Sequence, residues 1–267
     1  MTFPDSASPA LRRARTAWCL YDWANSAFPT VIVTFVFSVY FVDGVATDKI
    51  TGTQQWAYAL ALSGIAIALL SPLLGSIADA TGSRKPWLAL FSALTAVGAA
   101  LLWFAFPEPS FTLYALVVFC LANISFEVAQ VFYNAMLPTI VSNRKIGRLS
   151  GWGWGLGYLG GLACLFLLLT IFIQANPPVF SLDKEEAEHV RIVGPVVGAW
   201  FVVFSLPLFF FIPDAQPRGV GLVRAARDGI KGLIATIRKI GSYRNIAWFL
   251  GARIFYVDGM NTMFAFG

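Results

Sequence analysis

Six times along this chain a nearly uncharged apolar run continues for about 20 residues or more, near 17–42, 55–78, 86–106, 111–137, 149–174 and 192–212. A seventh begins near 245. A helix rises about 1.5 Å per residue, so about 20 such residues cross the hydrocarbon layer of a bilayer. Inside that layer the backbone must satisfy its own hydrogen bonds, and runs of this length do so as helices. Composition agrees: 58% of residues are hydrophobic, 12% are charged and the mean hydropathy is +0.70, outside the range of soluble domains. The expected fold class is an all-α integral membrane protein. The first run follows Arg12, Arg13 and Arg15, but it is too long for a signal peptide and lacks a small-residue cleavage site, so it reads as a retained first helix.

Basic residues favour cytoplasmic segments near helix ends. The N-terminal tail, the loops near 79–86 and 138–148 and the segment 213–244 together carry fifteen, including Arg84, Lys85, Arg144, Lys145 and Arg148. The alternate loops carry three, Lys49, Lys184 and Arg191, beside seven acidic residues. This asymmetry places the N-terminus inside, and the net charge of +5 is a topology signal rather than a sign of a nucleic-acid partner. Cys19, Cys120 and Cys164 fall within the spans, with neither a disulfide framework nor a zinc pattern, and the single histidine, His189, reads as a solvated residue of an outer loop. No metal or other cofactor is indicated.

Two segments have an internal pattern of their own. Between the sixth and seventh spans, Leu222, Val223, Ala226, Ile230, Leu233, Ile234 and Ile237 recur at helical spacing while Arg224, Arg227, Lys231, Arg238 and Lys239 take other positions. That pattern suits a helix on the cytoplasmic membrane surface, or one that senses lipid or binds a partner. In the fifth span, "GWGWGLGYLGG" sets Gly151 and Gly155, Gly153 and Gly157, and Gly157 and Gly161 four apart, which lets helix backbones approach closely. Tight packing within one bundle is the first reading and a dimer interface the second.

The loop joining the second and third spans reads "GSIADATGSRK", with Gly75, Asp79, Gly82, Arg84 and Lys85. It resembles the cytoplasmic-loop signature of the major facilitator superfamily, G-x-x-x-D-x-x-G-x-R-K, at the position where that superfamily carries it. The resemblance implies a six-helix N-terminal bundle of the major facilitator fold, in which Asp79 and Arg84 help to latch the cytoplasmic side as gating residues. The blocks "YDWANSAF", "SPLLGSIADATGSRKPWL", "VFYNAMLP", "IGRLSGWGWGLGYLGG" and "NTMFAFG" are similar to the vacuole-effluxer branch of that superfamily. That likeness implies export of amino acids or similar small solutes, across a bacterial cell membrane or, in a eukaryote, a vacuolar membrane.

Polar residues inside the spans give an independent line. Charge at mid-membrane is costly, so such groups usually face a cavity or a partner. In the first span Asp22, Asn25, Ser26 and Pro29 share one helix face; in the fourth, Asn123, Glu127, Gln130 and Asn134 form a stripe at i, i+4, i+7 and i+11. The seventh begins with Arg253, Asp258, Asn261 and Thr262. First, fourth and seventh are the helices that line the central cavity in the superfamily the chain resembles. These groups either line a pathway or satisfy one another as structural glue. For Glu127 the pathway is favoured, and since desolvation disfavours a charged carboxyl it is the first choice for a group that carries a coupling proton. Asp22 is open to three roles: binding solute, pairing with Arg253 or bracing the helix. Arg253 could pair with Glu127, Asp22 or Asp258, or hold a substrate carboxylate in fork geometry.

"DWANSAF" (22–28) and "DGMNTMF" (258–264) share D-x-x-N-[S/T]-x-F, aligning the first span with the seventh, where a duplicated six-helix half would restart. A second half of matching length would make a whole protein of about 450–480 residues. The expected organisation is therefore a cytoplasmic tail (1–16), a six-helix bundle (17–212), an amphipathic cytoplasmic linker (213–244) and the start of a seventh helix (245–267). As a function, the expectation is a secondary transporter of a small solute, inactive without a missing C-terminal half or a second copy. No HExxH, GxSxG or His/Asp cluster of an intramembrane enzyme occurs in the spans, and a non-transporting membrane scaffold or sensor is the alternative.

Overall fold

The structure is a computed structural model that describes residues 8–214, 221–239 and 244–266, without the side chains at positions 79–81, 222, 223, 225, 233, 236, 237, 239, 244, 258 and 261–266. Among the described residues six helices are long and apolar enough to cross a membrane: α1 (Pro9–Val45), α2 (Lys49–Ala78, helical to Thr81), α3 (Lys85–Phe104), α4 (Pro109–Ile140), α5 (Asn143–Ile173) and α6 (Glu188–Phe211). Two more follow, α7 (Leu222–Lys239) and α8 (Arg244–Phe266). Among the described residues there is no strand.

The helices run past the apolar runs that announce them, because a helix stops at a cap rather than where hydropathy falls. α1 begins at Pro9 behind Ser8, whose hydroxyl accepts from the Leu11 N–H at 3.3 Å. α2 begins behind Asp48, whose carboxylate accepts from the Ile50 and Thr51 N–H groups at 3.0 Å. It ends at Gly82, whose φ of 88° suits a residue without a Cβ and whose N–H closes the last turn on Ala78. In α1, Pro29 has no N–H to offer, and the helix continues through it in wider π-type turns such as Val36 N–H to Val31 O at 3.0 Å.

Short connections make successive helices antiparallel, so one end of the bundle collects the start of α1, the α2–α3 and α4–α5 joints and the end of α6. This is the basic end. α1 lies between α5 and α6, α4 packs on α2 and α3, and the contact of α3 with α6 joins the two groups. Each half of the bundle's length has its own apolar cluster. One is built around Phe28, Phe37, Phe41, Trp56 and Phe119, the other, at the basic end, around Trp18, Tyr21, Phe132, Tyr133 and Phe201. Trp56 stacks on Phe119 with ring centroids 4.0 Å apart, and Tyr133 is stacked between Trp18 and Tyr21 at 4.5 and 4.7 Å.

Two residues read from the sequence as loop residues are placed differently. Arg191 is buried inside α6 rather than free in an outer loop: its guanidinium lies 4.2 Å from the Phe106 ring centroid and 5.0 Å from that of Trp103, and donates to the Trp103 carbonyl at 2.9 Å. The aromatic rings and the carbonyl shelter a charge that hydropathy alone would assign to water. His189 is half-buried with Nδ1 closed off from solvent, not solvated.

Candidate functional site

The α1 polar face turns into the bundle. Asp22 and Asn25 are buried and Ser26 is half-buried. Asn25 donates its amide to Asp22 Oδ1 at 3.5 Å and Ser26 its hydroxyl to Asn25 Oδ1 at 3.4 Å. Beside them the Tyr133 hydroxyl donates to the Trp18 carbonyl at 3.0 Å, which ties α4 to α1. Asp22 Oδ2 is buried and accepts no hydrogen bond among the described residues.

What faces this carboxylate is the glycine stripe of α5. A Cβ on Gly153 would stand 2.6 Å from Asp22 Oδ2, one on Gly157 2.7 Å from the Ser26 hydroxyl, and one on Gly160 2.5 Å from the Trp23 carbonyl. Those contacts are too short for any side chain, so glycine is what allows α5 to seat against α1. Gly151 and Gly155 face open space. The spacing in "GWGWGLGYLGG" thus serves packing within one bundle at Gly153, Gly157, Gly160 and Gly161.

The α4 stripe is placed otherwise. Asn123 is buried and Gln130 half-buried, while Glu127 and Asn134 are exposed on the bundle surface. Among the described residues no hydrogen bond or ion pair links this stripe to Asp22, Asn25 or Ser26. Arg253 is exposed on α8 and pairs with neither Asp22 nor Glu127; the side chains of Asp258 and Asn261 lie outside the described residues.

At the basic end, Arg84 and Lys85 open α3 and hold three helices together. The Arg84 guanidinium donates to the Ala135 carbonyl of α4 at 2.7 Å, and the Lys85 ammonium to the Phe209 carbonyl of α6 at 2.7 Å. In return the Asp214 carboxylate, just past α6, accepts from the backbone N–H groups of Arg84 at 3.0 Å and Lys85 at 3.4 Å. Asp214 therefore caps the N-terminus of α3, where a negative charge suits the helix dipole. Gly75 sits on α2 where an added Cβ would meet Val131 of α4 at an ordinary contact distance of 3.6 Å, and the side chain of Asp79 lies outside the described residues. Sequence reasoning passed over Asp214 and Tyr133. The only signal for the first was that it is one of two carboxylates, with Asp228, in a segment rich in cations, and for the second its place beside Asn134 in "VFYNAMLP".

A six-helix bundle of this kind is one half of the major facilitator fold. The solved proton:xylose symporter XylE, bound to 6-bromo-6-deoxy-D-glucose, superposes with a TM-score of 0.61 at 12% identity, over 78% of this chain and 46% of that one. The fold is thus that of half a major facilitator protein. The family model described as "Vacuole effluxer Atg22 like" matches residues 38–266, and the chain belongs to that family. It is 28% identical over 259 residues to the uncharacterized MFS-type transporter YxiO of Bacillus subtilis, covering 94% of this chain and 58% of that protein. It is also 24% identical over 139 residues to autophagy-related protein 22-1 of Penicillium rubens, covering 49% of this chain and 22% of that protein. The chain spans about half the length of the bacterial relatives it matches.

Proposed function

We propose that this bundle works as one half of a secondary active transporter that exports a small solute, an amino acid by preference, by alternating access. The observation that carries the reading is the exposed polar edge of α4. Glu127 and Asn134 stand on the surface of a helix whose other exposed residues include Leu113, Val117 and Leu121. A lipid-facing helix has no use for that carboxylate, whereas a helix that closes a polar pathway against a second half does. Gln130 and Asn123 continue the pathway inward from Glu127, and Asp22, Asn25 and Ser26 form its wall on the α1 side. Arg253, Asp258 and Asn261 supply polar groups from α8.

Glu127 carries the coupling proton in this scheme, and the loop of Gly75, Asp79, Gly82, Arg84 and Lys85 gates the basic end. With the N-terminus cytoplasmic, that end is the cytoplasmic one, where fifteen basic residues support the assignment. The test is flux of labelled amino acids in proteoliposomes that hold this bundle together with a second six-helix half. Glu127→Gln should abolish the pH dependence of uptake. Flux that keeps its rate and pH profile in that variant removes Glu127 from the mechanism, and absence of flux for every amino acid removes the substrate class.

A further inference from the structure

The helix α7 lies outside the six spans, and its sides are unlike one another. At about 100° per residue, Arg227, Lys231 and Arg238, with Arg224, fall within an arc of about 60°. Ala226, Ile230 and Ile234 lie beside that arc. Gly229, on the far edge of the apolar side, abuts Ser76 of α2 so closely that a Cβ there would collide with it. The edge that remains, with Ile230 and Ile234, is exposed and adjoins the cations.

Those cations are short of acidic partners. Arg224 meets Asp228 at 3.8 Å, while Arg227, Lys231 and Arg238 form no ion pair among the described residues. Lys231 and Arg238 stand with Ile234 and Ala235 around an open recess of about 330 Å³. Two cations over an apolar floor match a lipid headgroup, whose phosphate is anionic and whose acyl chains begin directly below it. α7 also packs on a helix of the membrane-spanning bundle, near the basic end where headgroups lie.

We propose that α7 is a docking face for anionic lipid headgroups, with Lys231 and Arg238 holding the phosphate and Ile230 and Ile234 entering the leaflet. The attachment rests on this face alone and does not depend on the transport reading. A cation near an anionic leaflet is worth about fivefold in affinity, so two are enough to decide whether α7 is held. It is tested by hydrogen exchange on the whole chain in nanodiscs of phosphatidylcholine alone, or of phosphatidylcholine mixed with phosphatidylglycerol.

The α7 amides should exchange about tenfold or more slowly in the mixed discs, and added salt should erase the difference by screening. The double variant Lys231→Gln with Arg238→Gln should lose most of that protection while α1–α6 keep their exchange rates. Should the variant disturb α1–α6, the salt titration of the unaltered chain decides alone. Equal α7 exchange in the two kinds of disc overturns the proposal. So does protection that resists salt, or protection that inorganic phosphate reproduces in discs of phosphatidylcholine alone.

Discussion

α1 and α4 carry the same kind of polar face, four residues repeated at helical spacing in an apolar helix, yet the fold treats them in opposite ways. Asp22 and Asn25 of α1 are buried, Asp22 against Gly153 and Gly157 of α5, whereas Glu127 and Asn134 of α4 stand on the open surface. Spacing shows that polar groups share a face. Where the face points depends on the neighbouring helix, and the steric decision at α1 is made by residues more than a hundred positions away, Gly153 to Gly161. A buried carboxylate with one unpaired oxygen and an exposed one of the same chemistry should therefore respond differently to substitution.

The sharpest way to break this contrast is to pry open the α1–α5 seam. Gly160→Leu would push its side chain into the Trp23 backbone, which cannot move aside as a flexible side chain can. We expect a loss of about 3 kcal/mol, toward the upper part of the usual cost of overpacking, seen as a sharply lowered melting temperature in detergent. Gly155→Leu on the open face of α5 is the control and should stay close to the parent. Equal losses in both variants would mean that α5 does not seat on α1 through its glycines.

Next come the two carboxylates themselves. Asp22→Asn keeps hydrogen-bonding capacity and removes a charge whose Oδ2 accepts nothing, so thermal unfolding should show stability gained, with about 1–3 kcal/mol as the scale of an unsatisfied buried group. Glu127→Gln, made on the exposed face, should shift stability by no more than about 0.5 kcal/mol. A marked loss in Asp22→Asn would reveal a partner that the charge requires, and a marked loss in Glu127→Gln would move that residue into the packed interior.

The smallest effect belongs to a carboxylate with water around it. Asp48 caps α2, and hydrogen bonds from the Thr51 N–H and hydroxyl hold its carboxyl below the ordinary carboxylate range. A lowered value in the folded state means that the cap contributes above the unfolded value of about 4 and is lost as pH falls through the lower folded value. Hydrogen exchange at Ile50 and Thr51 should therefore be slow at neutral pH. Relative to Asp48→Ala, the protection should vanish at strongly acidic pH. Protection that outlasts protonation would assign the cap to the backbone instead.

Much of the architecture was legible because a bilayer leaves few choices. Runs such as 149–174 and 192–212 had to be spanning helices, and they are. The glycine pattern announced close packing, and the loop "GSIADATGSRK" announced the fold class. Helix ends were less visible: α2 begins at Lys49, six residues before the apolar run, because Asp48 caps it there. Arg191 was illegible for a similar reason, since its burial is made tolerable by groups brought to it in space, the Trp103 and Phe106 rings and the Trp103 carbonyl, together with Glu188 at 3.9 Å. Of the candidate site, sequence showed which polar residues share a face on α1 and on α4. It did not show that Tyr133 would join the two helices at Trp18, or that Asp214 would cap α3.

The sequence by itself determined the class, an all-helical membrane bundle with a basic end and the motifs of its family, because length, hydropathy and local spacing act within one helix at a time. Only the tertiary structure decided that Asp22 is enclosed and Glu127 is open. Enclosure depends on whether a neighbouring backbone can come within contact distance, and here that is settled by the absence of side chains on a different helix.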